Sequence, residues 1–187
     1  MTAGRLAQIL AVLCFVILAV LAGKPHFTNA SQPVRGIADP GIALQTVRSV
    51  SEVDDILSDT PSADREVMRI KQYIDFAFIA AYAALSVVIA WLLWTRARWA
   101  ALGIALFTLI AAGFDTAENL AILRLLPTSV TGTTPAMLAA IRTPSLLKWS
   151  LISVVPVLLA VRLLMSRRWY LRILGGVDVA AGALTCW

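Results

Sequence analysis

The chain has 187 residues, of which 59% are hydrophobic and only 14% are charged, and its mean hydropathy is +0.81. Soluble domains usually carry about a quarter charged residues, so this composition excludes an ordinary soluble domain and indicates a membrane protein. The net charge of +5 does not indicate nucleic-acid binding, because the basic residues lie at helix ends and in loops rather than along one face.

Cysteine and histidine are too sparse for the common metal and haem sites. The two cysteines, Cys14 and Cys186, form no CxxC pair, and His26 is the only histidine. This count excludes bis-histidine haem ligation within the chain and disfavours cysteine or histidine metal clusters. We therefore expect no metal and no other cofactor.

The first predicted element is an apolar stretch at residues 6–22, which is long enough to cross a bilayer. Because Arg5 precedes an apolar core, a cleaved signal peptide is the alternative to a membrane anchor. We expect an uncleaved anchor, and we assign residues 1–23 to a first transmembrane helix.

The next element is a polar segment, residues 24–70, in which acidic and basic side chains nearly balance. Asp39 followed by Pro40 is typical of a helix start, with the aspartate as N-cap and the proline in the first turn. Five apolar residues then recur at the spacing of an amphipathic helix: Val47, Val50, Val53, Ile56 and Leu57. Thr60 and Pro61 predict the start of a further helix that continues unbroken into the second span.

Three more spans follow at about residues 73–94, 101–123 and 146–165, within a predicted membrane region of 71–166. Arginines crowd the turn between the second and third spans and follow the fourth span. By the positive-inside rule, both termini, including a tail at 167–187, are then cytoplasmic. The predicted fold is an all-α bundle of four transmembrane helices, with residues 24–70 as a small extracytoplasmic helical cap between spans one and two.

A rise of about 1.5 Å per residue places five polar side chains of the last three spans in the outer leaflet, and Tyr82 shares a helix face with one of them, Asp75. The six residues are Asp75, Tyr82, Asp115, Glu118, Asn119 and Lys148. A charged group that faces lipid costs several kcal/mol, so we expect these side chains to turn inward and pair. The sequence therefore predicts a buried polar cluster in which Lys148 meets Asp115 and Glu118.

The cluster is compatible with three functions. In the first, all six side chains line an outward-facing pocket in the outer leaflet that binds a lipid or another small amphiphile. In the second, the charges only fix helix packing, and the chain is a structural or accessory subunit that binds a membrane complex through residues 39–58. In the third, the protein is an enzyme that modifies a lipid, so enzymatic activity stays an open question.

Individual charges in the cluster also have simpler explanations. Lys71 lies one turn before Asp75 and could satisfy that carboxyl at the membrane surface. Lys148 could extend to the outer surface instead of pairing inside the bundle. Asp75 and Asp115 distantly resemble the dyad of an intramembrane aspartyl protease, but Phe114 stands where such enzymes have a glycine.

The stretch AGFDTAENLAILRLL, residues 112–126, is followed by a lysine-tryptophan pair at the start of the next span. This pattern resembles the DxxEN third helix of small uncharacterised bacterial four-span membrane proteins, and the resemblance covers spans two to four. It implies a multi-pass protein of the bacterial inner membrane. It implies no activity, because no function is known for that group.

Overall fold

The computed structural model describes residues 2–23, 27, 34–57 and 63–164, and the regular elements within these ranges are helical. The α-helices are α1 (Ala3–Gly23), α2 (Pro40–Gln45), α3 (Val50–Leu57), α4 (Ala63–Leu93), α5 (Arg98–Leu125) and α6 (Pro135–Leu164). The prediction of an all-α fold is confirmed for this part of the chain. His26, Thr60, Pro61 and the tail with Cys186 lie outside the described residues.

Three of the helices are long and apolar enough to cross a membrane, namely α1, α4 from Asp64 onward, and α5. The 31 residues of α4 form one continuous helix, so the polar stretch before the second span runs into it without a break. The 30 residues of α6 include most of the predicted fourth span, and a fourth membrane crossing stays a prediction.

The long helices pack in chain order, with α1 on α4, α4 on α5 and α5 on α6. Helix α5 lies in the middle of this row, and its buried side chains recur every three or four residues. Ala111 and Ala112 are among them, and small residues of this kind let neighbouring helices approach closely. The same buried stripe carries Asp115, Glu118 and Asn119 into the interior of the bundle.

Residues 34–57 fold against one end of the bundle. Asp39 accepts a hydrogen bond from the backbone N–H of Ile42 at 3.0 Å, so α2 starts as its sequence predicts. Helix α3 starts with a form of the capping box, in which Glu52 accepts from the backbone N–H of Arg48 at 2.7 Å and donates its own N–H to Ser49 Oγ at 3.3 Å. These local bonds explain why the segment forms two short helices rather than one.

The apolar side chains of α2 and α3 share a core with the neighbouring ends of α4, α5 and α6. The buried members of this shared core are Val34, Ala43, Leu44, Val47, Val53, Ile56, Leu57, Met68, Ile122, Leu125, Leu126, Leu138 and Ile141. Burial of this apolar surface fixes residues 34–57 on the bundle. Whether they form an extracytoplasmic cap depends on orientation and stays a prediction.

Arg65 joins the start of α4 to the end of α5. Its guanidinium donates to the carbonyl oxygens of Leu126 and Thr128, each at 2.7 Å, and the residue is only 6% exposed. Carbonyl groups at a helix C-terminus have no donor within the helix, and a cation there also suits the helix dipole. Arg65 therefore holds the two helices in register at the end where α2 and α3 pack.

Candidate functional site

Lys148 is the centre of a buried ion cluster between α5 and α6. Its Nζ lies 2.6 Å from Oδ1 of Asp115 and 2.7 Å from Oε2 of Glu118. The three side chains are nearly inaccessible, with exposed fractions of 4%, 7% and 0% respectively. One ammonium shared by two carboxylates relieves the repulsion between acids that lie one turn apart. Lys148 therefore pairs inside the bundle and does not extend to the surface.

Two hydrogen bonds join α5 to α4 beside this cluster, one from Tyr82 on α4 and one from Asn119 on α5. The hydroxyl of Tyr82 donates to Oδ2 of Asp115 at 3.1 Å, and Nδ2 of Asn119 donates to Oδ2 of Asp75 at 2.7 Å. Both oxygens of Asp115 are thus engaged, one by Lys148 and one by Tyr82. This geometry differs from an aspartyl protease dyad, in which two facing carboxyls share a proton.

The i, i+4 spacing of Lys71 and Asp75 would allow an ion pair, but the two side chains do not form one. Its Nζ donates to the backbone carbonyl of Leu21, near the end of α1, and lies 5.4 Å from the centroid of the Phe27 ring. A cation at a helix C-terminus satisfies a free carbonyl, so Lys71 links α1 to α4. Asp75 has no ion-pair partner in the described part of the chain.

A cavity of about 710 Å³ adjoins the cluster, between α1, α2, α4, α5 and α6. Five of the six predicted site residues lie on its wall: Asp75, Tyr82, Asp115, Asn119 and Lys148. Glu118 is the exception. It is fully buried, does not line the cavity, and forms an ion pair with Lys148. The structure brings all six side chains together, and their role in binding a ligand stays a prediction.

The cavity wall changes from polar to apolar along α4. Gln72 and Asp75 lie toward the end that carries α2, and Ile89 lies at the opposite end. At about 1.5 Å per residue, the stripe from Gln72 to Ile89 is about 25 Å long. Further aliphatic side chains line this deeper, uncharged part, among them Leu85, Ile104 and Ile152, together with the hydroxyl groups of Ser86 and Thr108. The cavity is therefore amphiphilic along its length.

Part of the cavity wall is formed by a contact between α2 and α6. Nε1 of Trp149 donates to Oε1 of Gln45 at 3.1 Å, and both residues lie on the cavity wall. The ring of Trp149 also lies 5.4 Å from Nζ of Lys148, within reach of a cation–π interaction. Residues 34–57 thus help to shape the cavity as well as the shared core.

Among the wall residues that the sequence did not predict for the site, Gln72 and Phe78 lie beside Asp75 on α4. Gln72 lies on the same α4 stripe as Asp75, Tyr82 and Ser86, at i, i+3, i+10 and i+14, so helical spacing alone would have found it. Phe78 carries no comparable signal, because an aromatic residue in a span is as compatible with lipid contact as with a cavity wall.

Three helices that are long and apolar enough to cross a membrane define the class of the chain as an integral membrane protein. Comparisons with protein-family models, with curated proteins and with solved structures found no match. The function therefore has to be argued from the residues and geometry of the site.

Proposed function

We propose that the protein binds a lipid or another small amphiphile in the cavity. The observation that carries this proposal is the continuity of one space that has charged and amide groups at one end and aliphatic side chains at the other. A polar head group would lie against Asp75 and Asn119, and an apolar tail would extend past Leu85 to Ile89. The cavity volume of about 710 Å³ falls in the range of about 300–1,000 Å³ that is usual for small-molecule sites.

The packing order of the helices supports access from the side. Because α1 packs on α4 and α6 packs on α5, α1 and α6 stand at opposite ends of the row, and both contribute to the cavity wall. Helix α1 also exposes many apolar side chains, such as Val12, Phe15 and Val16, as a lipid-facing helix does. An amphiphile in the bilayer could reach the cavity between these two helices.

The proposal includes an orientation in the membrane, with α6 as a fourth span. Tyr73 on α4 is 61% exposed, and Trp94, which directly follows α4, is 50% exposed. Their separation of about 31 Å along the helix matches the hydrocarbon core of a bilayer, which is about 30 Å thick and bordered by aromatic residues. With Arg96 and Arg98 in the cytoplasm, residues 24–70 are extracytoplasmic and the polar end of the cavity lies in the outer leaflet.

Cysteine labelling tests this orientation. In a Cys14→Ala/Cys186→Ala background, Ser51→Cys should react with a membrane-impermeant maleimide in intact cells, whereas Thr95→Cys should react only after permeabilisation. Both native side chains are exposed, so burial would not account for a missing label. The opposite labelling pattern would place the polar end of the cavity in the cytoplasmic leaflet and contradict an outward-facing site.

Native mass spectrometry of the gently solubilised protein tests the binding function. We expect the wild type to retain a small amphiphile and the Ile89→Trp variant to retain roughly tenfold less, because the indole would fill the apolar end of the cavity. Val87→Trp is the matched control. Val87 lies two residues earlier on α4, is 46% exposed and is not part of the cavity wall, so this variant should retain the amphiphile as the wild type does.

The result separates the proposed functions. Equal retention by both tryptophan variants would contradict binding in this cavity, and Leu85→Phe provides a smaller obstruction if Ile89→Trp does not fold. A protein partner in every sample, without a small molecule, would favour the accessory-subunit hypothesis instead.

The structure also decides how that accessory hypothesis should be tested. Deletion of residues 39–58 would remove Leu44, Val53 and Ile56 from the shared core, so loss of a partner could reflect unfolding rather than loss of a docking surface. Charge reversal at Asp54 and Asp55, which are exposed on α3, leaves the shared core intact and is the sharper test.

A further inference from the structure

Gln72 and Asp75 each have a hydrogen-bond acceptor at the polar end of the cavity that lacks a donor in the described part of the chain. Gln72 is 7% exposed, its Nε2 lies 3.5 Å from Sδ of Met68, and its Oε1 has no hydrogen-bond partner in the described part of the chain. Oδ2 of Asp75 is bound by Asn119, while its Oδ1 has no partner among the described residues. A buried acceptor without a donor is destabilising, so a donating group beside Oε1 of Gln72 would stabilise this part of the wall.

Four donor groups on this part of the wall are bound to other acceptors. Nζ of Lys148 is shared by two carboxylates, and the hydroxyl of Tyr82 donates to Asp115. Nδ2 of Asn119 donates to Asp75, and Lys71 is directed to the carbonyl of Leu21. A ligand that carries N–H or O–H donors would satisfy the acceptors of Gln72 and Asp75.

The charged groups on the wall and directly behind it are not balanced. The buried or half-buried carboxyl groups are those of Asp75, Asp115 and Glu118, and the ammonium groups are those of Lys71 and Lys148. Fully ionised, these described groups leave one uncompensated negative charge. Electrostatic interactions are strong where water is excluded, so the site favours a positively charged occupant.

The surroundings of Asp75 also suit an ammonium group. Phe78 and Tyr82 follow it on the same helix, line the cavity and form an edge-to-face pair with ring centroids 5.3 Å apart. A carboxylate beside aromatic rings is a favourable environment for an organic cation, because the ring faces carry partial negative charge.

We infer that the polar end of the ligand is a protonated primary or secondary amine, which makes the ligand a cationic amphiphile. The N–H groups donate to Oδ1 of Asp75 and Oε1 of Gln72, and the positive charge compensates the carboxylates. The apolar tail extends toward Ile89. This inference rests on the proposed function, because it specifies the head group of the same ligand.

Competition between amphiphiles with one tail length tests this head-group preference. Dodecylamine, dodecyltrimethylammonium, dodecanol and dodecanoate are added in turn to the full chain in a non-ionic detergent, and bound fractions are measured by native mass spectrometry. We expect dodecylamine to bind roughly tenfold more tightly than dodecanol or dodecanoate. Dodecyltrimethylammonium should rank below dodecylamine, because it carries the charge but no donor.

Two further probes identify the source of the amine. Butylamine has the head group without the long tail, and binding as tight as that of dodecylamine would overturn a cationic amphiphile as the ligand. Lysophosphatidylethanolamine carries an amine next to a phosphate. Its displacement of dodecylamine would identify the amine as part of a phospholipid head group, and failure to displace it would identify a free alkylamine.

Variants on α4 assign the preference to individual side chains. Asp75→Asn keeps the side-chain shape and removes the charge, so the tenfold preference for dodecylamine over dodecanol should fall to about twofold while dodecanol still binds. Gln72→Met removes the free acceptor and should reduce the same preference. Glu66→Gln is the matched control, because it removes an exposed carboxyl of α4 outside the cavity and should leave the preference unchanged.

The outcomes distinguish the inference from the proposed function. Equal binding of all four amphiphiles by the wild type, or a preference unchanged in both Asp75→Asn and Gln72→Met, would overturn the amine assignment and leave amphiphile binding in place. Binding of none of the amphiphiles, with no molecule retained by the wild type, would overturn the proposed function itself.

Discussion

Replacement of Lys148 by methionine should lower the free energy of unfolding by about 3–5 kcal/mol, which is the usual effect of removing one partner from a buried ion pair. The loss would be severe here because Asp115 and Glu118, with exposed fractions of 7% and 0%, share this single ammonium. Unfolding of the detergent-solubilised protein by heat, followed by circular dichroism, measures the effect.

A charge-free variant separates electrostatics from shape. Lys148→Met combined with Asp115→Asn and Glu118→Gln removes every formal charge of the ion cluster, so stability should return close to that of the wild type. Arg142→Met removes a partly exposed cation from the same helix and should change stability by less than about 0.5 kcal/mol. If the triple variant were as unstable as Lys148→Met, the uncompensated charge would not explain the loss.

Truncation of Ile56 to alanine should destabilise the protein by about 2–5 kcal/mol and release residues 34–57 from the bundle. Ile56 is 3% exposed and belongs to the core that α3 shares with α4, α5 and α6. Loss of its side chain leaves a cavity in that shared core. Limited proteolysis of the solubilised protein should therefore cleave this segment faster than in the wild type.

The control uses the same substitution at an exposed position. Ile70 lies on α4, is 40% exposed and is not part of the shared core, so Ile70→Ala should change stability by about 0.5 kcal/mol or less. Similar destabilisation by the two alanine variants would mean that α3 is not held by burial of its apolar face.

Much of the helical architecture is predictable from the sequence because a lipid environment permits few backbone conformations. Long apolar runs have to form helices, since backbone groups cannot be left unpaired in hydrocarbon. The same restriction limits the partners of a buried charge. Lys148 is the one lysine within the predicted spans, so few other cations are available to pair with Asp115 and Glu118.

The cavity is not predictable in the same way. A cavity forms where the side chains of several helices leave a space between them. The hydropathy of a sequence carries no information about such spaces. The bond between Gln45 and Trp149 joins residues that lie 104 positions apart, and nothing in the local sequence of either residue indicates it. The free acceptor of Gln72 likewise depends on which neighbours its amide finds after packing.

The ion cluster also limits how the chain is inserted into a membrane. Helix α1 has a mean hydropathy of 2.7 in its most apolar window and can partition into lipid alone, whereas α5 reaches only 1.7 and carries two carboxyls. An ionised acid near the middle of a span opposes insertion by about 2.5–3.5 kcal/mol, and the compensating cation lies on α6. At about 5–20 residues per second, Lys148 is synthesised roughly 2–6 s after Glu118. With α6 as the proposed fourth span, we expect α5 and α6 to leave the translocon together, as a hairpin that is already paired by its charges.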